Sequence, residues 1–155
     1  MIPETEIVYS MPYNRALSSG FNKHDYFELK KNCKNFEGLY KKYITQILNS
    51  IEKEHYKNWK KKYIPIYIVK EALSSFSDPL TIEFNKNEKM MLIVLVHELF
   101  HNNSFEGKKF DSPHEAHEYM QPLVDKIVRS LGLNIEKELS VFNYATMRFA
   151  KENSK

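Results

Sequence analysis

The chain has 155 residues, of which 42% are hydrophobic and 28% charged, with ten tyrosines and ten phenylalanines. That length suits one domain and is too short for two ordinary ones, while so many aromatic side chains exclude a globally disordered chain. The net charge is +3, and Arg15, Arg129 and Arg148 are the only arginines among the 23 basic residues; base reading in DNA leans on arginine forks, so specific nucleic-acid recognition is not expected.

In chain order, residues 1–20 read as an irregular or extended lead. Met1-Ile-Pro-Glu lacks the basic stretch and apolar run of a secretory signal, so none is expected. Asp25-Tyr-Phe-Glu28 has the form of a capping box and predicts a helix start with Asp25 as N-cap. Cys33 is the sole cysteine, which excludes an internal disulfide and favours a reducing, cytoplasmic setting; we read it as a small buried hydrophobe. From Phe36 the apolar positions recur through Leu39, Tyr40, Tyr43, Ile44, Ile47, Leu48 and Ile51, predicting an amphipathic helix to about Lys62, where three lysines meet the negative end of the dipole.

Ile64 to Val69 is rich in β-branched residues and predicts a strand, with Pro65 marking its first residues or a sheet edge. A loop around Asp78-Pro79 leads to a second strand, Leu80 to Phe84. Asn85 to Glu88 reads as another capping box and opens a buried helix to about Asn103. Its apolar run from Met90 to Val96 is too short to cross a bilayer, so no membrane association is expected. After a polar connection through Gly107, Ser112-Pro113-His114-Glu115 starts a helix that runs to Leu131 and stops before Gly132. A last helix is predicted from about Asn134 to Ala150, followed by a frayed tail.

The chemistry concentrates in His97-Glu98-Leu99-Phe100-His101, an HExxH sequence. On a helix, residues four apart share a face, so both imidazoles can hold one Zn²⁺, while Glu98 can act as general base on a water beside it. Charged groups at the end of so apolar a helix are costly unless something satisfies them, and a metal does that. The plain alternative is a helix end whose histidines face solvent. This chain can fold without a structural metal, so a metal here points to function.

On these residues and this element order the sequence resembles the zincin metallopeptidases. The resemblance covers about residues 36–131 and implies an α+β fold, mostly helical with a small β-sheet, in a single domain spanning 1–155. It also implies a zinc-dependent peptidase acting on peptide or protein substrates, with the strand Leu80 to Phe84 bordering the cleft and pairing with an extended substrate. The compact size is similar to the minimal glutamate-zincins and to SprT/Spartan-like proteases.

A catalytic zinc takes three protein ligands and a water. Pro113 to Tyr119 offers His114, Glu115, His117 and Glu118 for the third. Glu115 is engaged by the capping box. The apolar face runs through Ala116, Met120, Leu123, Val124, Ile127 and Leu131; His114, His117 and Gln121 lie on its margin, which favours a histidine. A glutamate-zincin resemblance implies Glu118, and a Spartan-like one implies His114, although Pro122 breaks the first family's pattern and the second family's order of residues does not appear. We take His114 first, with Glu118 and His117 as alternatives.

Tyr119 and Tyr144 can polarise a carbonyl but suit packing as well. His24 and His55 have no ligand spacing around them and read as surface or capping residues. Two other readings remain: a catalytically silent zinc-binding domain that serves as a regulatory interaction module, and a Spartan-like protease acting on DNA-bound proteins. The last helix is also a candidate cover for the cleft.

Overall fold

The computed structural model describes residues 1–55, 58–104 and 112–133. Its elements are β1 (Glu4–Val8), α1 (Met11–Leu17), α2 (Lys23–Asn32), α3 (Lys34–His55), β2 (Tyr63–Val69), β3 (Phe76–Ser77), β4 (Leu80–Glu83), α4 (Glu88–Ser104) and α5 (Pro113–Ser130). The arrangement is α+β: helices with one four-stranded sheet in the order β1-β2-β4-β3. The helix expected from about Asn134, its tail and the Gly107 connection lie outside the described residues.

The lead is extended over β1, one of the two forms expected of it, and then turns into the helix α1 rather than running on irregularly. β1 pairs in parallel with β2, Thr5 opposite Ile64 and Ile7 opposite Ile66. The Ser10 side chain then caps α1 by accepting the Tyr13 N–H at 3.2 Å, with proline in the first turn. These elements are short and their apolar content is small, so their stability comes from the neighbours they join. Asn14 makes the main joint. Its buried amide donates to the Ile68 carbonyl at 3.2 Å and accepts the Lys70 N–H at 2.9 Å.

The remaining boundaries shift for local reasons. Asn22, not Asp25, is the N-cap of α2. Its side chain accepts the His24 and Asp25 N–H groups, and Asp25 returns a bond to the Asn22 N–H, completing the box from its N3 position. Asn87 likewise caps α4 in place of Asn85, accepting the Lys89 and Met90 N–H groups. α3 ends at His55, and residues 58–62 are not helical. Trp59 folds back from this connection and donates its indole N–H to the Leu48 carbonyl at 3.2 Å. The lysine run therefore leads into β2 instead of closing a helix. At the end of α5, Gly132 takes φ +74°, the left-handed conformation that a residue after a helix end favours.

β2 lies inside the sheet, between β1 and β4. Pro65 is tolerated because it pairs only with Glu6 of β1; pairing with β4 begins at Tyr67. β4 is internal too, flanked by parallel β2 and antiparallel β3. The strand expected to border an open cleft is thus paired on one edge with β2, and on the other β3 takes up Leu80 and Thr81.

α4 packs on β3, β4, α3 and α5. Met90, Met91, Leu92, Ile93, Leu95 and Val96 are all buried, as are Leu99 and Phe100. A helix that is apolar all round belongs in a core, and this one joins the sheet to the helices. Asn102 donates its amide to the Ser77 carbonyl, fastening the end of α4 to β3. Cys33 is fully buried, as expected of it. No helix among the described residues is long and apolar enough to cross a membrane.

Replacing Asn14 by alanine leaves the Lys70 N–H and the Ile68 carbonyl without their buried partner. We expect a loss of roughly 2–4 kcal/mol, read as a lower urea midpoint at unchanged slope.

Candidate metal centre

The two histidines of the motif stand one turn apart near the C-terminal end of α4. Their Nε2 atoms are 2.9 Å apart and their ring centroids 4.6 Å. Helix geometry puts the two on one face, and their side-chain rotamers bring the ring nitrogens together. The third imidazole comes from a different helix: the His117 ring, in the second turn of α5, lies 5.3 Å from the His97 ring, nearly parallel to it, and 5.3 Å from the His101 ring, edge-on. One ligand atom from each of the three lies within 4.8 Å of the others.

α5 is capped as expected, Ser112 accepting the Glu115 N–H at 3.1 Å with Pro113 at the first position. The apolar face of the helix sets its rotation against the core. Ala116, Met120, Val124 and Ile127 are buried against the core, whereas Glu115 and Glu118 are exposed. His117 is half-buried on the margin between them. A helical residue adjacent in sequence is turned by about 100°, and that rotation carries Glu118 out to solvent while His117 faces α4. Among the described side chains the third member is therefore His117, which the sequence alone ranks behind His114 and Glu118. His114 sits in the first turn of α5, and its side chain lies outside the described residues, as does Tyr144.

Burial governs the electrostatics. His97 is 5% exposed and Glu98 8%. Desolvation, followed by repulsion from His101 and His117, holds His97 far below its ordinary 6.5, at about 3. Desolvation and His117 hold His101 at about 4. Burial pushes the Glu98 carboxyl from 4.5 up to about 8. At neutral pH the motif therefore presents neutral imidazoles, the form that binds metal, beside a carboxyl that shifts easily between its two states.

Two other histidines stand apart from the trio. His24 is exposed in the first turn of α2, next to Asp25 and Glu28. Asp25 is engaged by the Asn22 N–H and by Lys70 Nζ at 2.7 Å, so this group works as a helix cap and an ion pair. His55 departs from expectation. It is buried at the end of α3, with Nδ1 3.0 Å from Asn103 Oδ1 and its ring against Phe100. The only sequence signal for this is its position four residues beyond Ile51, which continues the apolar stripe of α3. Tyr119 packs near the same imidazole, at 6.1 Å between centroids.

No protein-family model, curated protein or solved structure matches the chain.

The three shifted groups give the metal-free protein a pH optimum. Unfolding returns His97 and His101 to 6.5, so the unfolded chain binds more protons below that pH, and stability falls as pH drops from 6.5 toward 4. Glu98 acts oppositely: between 4.5 and 8 the folded chain keeps a proton that the unfolded chain releases, so stability falls as pH rises. Of these three groups, the two histidines outweigh the carboxyl below 6.5, and above it Glu98 is the one still changing its proton uptake. Urea midpoints measured in chelator should peak near pH 6.5, and Glu98→Gln should flatten the alkaline side and steepen the acid side between 4.5 and 6.5, where the carboxyl opposes the histidines.

Proposed function

We propose that the chain is a zinc-dependent metallopeptidase of the zincin type, with His97, His101 and His117 as the metal ligands and Glu98 as the general base. The observation that carries this reading is the convergence of three imidazoles from two helices within 4.8 Å, beside a buried carboxylate adjacent to one of them. The donor set fits zinc. Three neutral imidazole nitrogens leave one position open in a tetrahedral shell, the arrangement of catalytic rather than structural zinc.

Zinc at such a site supplies a Lewis acid and lowers the pKa of a water it holds to about 7. The remaining chemistry belongs to the chain. Glu98 accepts a proton from the attacking water and delivers it to the amine nitrogen as the carbon–nitrogen bond breaks and a carbon–oxygen bond forms. Burial holds the Glu98 carboxyl up, and a cation held by the three imidazoles would draw it down toward the ionised form that accepts a proton. The apolar shell of α4 limits water around the site, which strengthens each of these interactions. The element order also supports the zincin reading: a long helix, a small sheet, the motif helix, then a helix bearing the third ligand. The substrates are peptides or proteins, and a sole, buried cysteine suits a reducing, cytoplasmic setting.

Elemental analysis after zinc-supplemented expression tests the metal. The wild-type chain should hold one zinc per molecule, and His97→Ala and His117→Ala should lose it. Full zinc in His117→Ala with loss in His114→Ala would move the third ligand to His114. Glu98→Gln should keep the metal and lose peptide hydrolysis by about a hundredfold or more. A zinc-loaded chain without hydrolytic activity toward any of a panel of peptides would instead identify a silent zinc-binding module.

A further inference from the structure

We infer that His55 is a positioning residue for the third ligand: bonded to Asn103 and packed against Phe100 and Tyr119, it sets how closely α5, and with it His117, approaches the His97–His101 pair. The inference rests on the metal reading above and assigns a role that the motif does not contain.

The argument starts from what each ligand needs. His97 and His101 are placed by one helix, so their separation is built into the backbone. His117 reaches them only through side-chain packing between two helices. A displacement of a fraction of an ångström there opens the trio while leaving each helix intact. Something must fix that packing at the level of the site.

His55 stands where it can do so. It is 6% exposed at the C-terminal end of α3, an uncommon place for an imidazole. Its Nδ1 lies 3.0 Å from Asn103 Oδ1. An amide oxygen only accepts, so Nδ1 donates, and this bond fixes the plane of the ring. That plane meets Phe100 at 4.6 Å and Tyr119 at 6.1 Å between centroids. Phe100 precedes His101, Asn103 follows it by two residues, and Tyr119 follows His117 by two. One side chain thus touches both ligand-bearing helices within two residues of a ligand on each.

Two further ties between α3 and α5 among the described residues are of a different kind. Glu54 pairs with Lys126 at 2.8 Å, and Gln46 reaches the Ser130 carbonyl at 3.4 Å. Both lie toward solvent and farther along α5, where such contacts contribute little. His55 instead meets α5 beside the metal site, through the ring contact with Tyr119, while its buried bond to Asn103 holds the imidazole against α4.

The test separates positioning from plain stability. Zinc affinity is measured by chelator competition, and the zinc-free protein is unfolded in parallel. His55→Phe keeps the ring packing and removes the bond to Asn103. It should weaken zinc binding by about 10–100-fold, the usual effect of losing an outer-shell partner. His117→Ala leaves at most a weak two-histidine site that does not retain zinc through purification, and in that background His55→Phe should change the residual affinity no further, because its effect passes through His117. Asn103→Ala should repeat the loss and carries the test if His55→Phe does not fold. Unchanged zinc affinity beside a lowered unfolding midpoint overturns the inference, as does an equal loss with and without His117. A wild-type chain that binds no zinc overturns the metallopeptidase reading itself, so the two failures are told apart by the wild-type measurement.

Discussion

Burial of α4 on all its sides constrains everything around it. Its apolar run meets the sheet, α3 and α5 at once, and nearly every side chain from Met90 to Phe100 is withdrawn from water. Such a helix cannot carry charge at its far end without consequence. His97 and Glu98 are buried because the helix they belong to is buried, and their proton affinities shift in opposite senses for the same reason. The site is thus an outcome of core packing as much as of motif chemistry.

Around α4 the other elements divide the work. The sheet supports one face, and the Asn102–Ser77 bond joins its edge to the end of the helix. α3 lies against both α4 and α5 and brings His55 to their junction. α5 buries its apolar stripe so that a margin residue, not an exposed acid, faces the histidine pair. The lead, whose two short elements have little stability of their own, closes the sheet through β1 and locks α1 to the end of β2 through Asn14. Each arrangement is a packing solution that leaves the three imidazoles within reach of a single ion.

Much of this is legible in the sequence. The amphipathic stripe of α3, the apolar run of α4 and the Ser-Pro start of α5 are strong local signals, because period and capping chemistry act over a few residues. The pairing of His97 with His101 is legible for the same reason. β1 and α1 are not, since five and seven residues carry too weak a pattern and depend on partners some 54–68 positions away, Ile68 and Thr81 among them. The internal place of β4 is not legible either. Strand order is set by which edges meet in space, and the two residues of β3 pair with the first half of β4.

The order of residues alone dictates the helix that carries the motif, the spacing of its two histidines and the position of Glu98 beside them, because these are properties of one continuous helix. It dictates as well the face of α5 that meets the core. Packing in three dimensions adds that His117, among the described side chains, joins the pair, and that His55 lies inside the protein bonded to Asn103. Those outcomes turn on how helices far apart in sequence lie against one another, and no local pattern of residues encodes the angle and distance at which they meet.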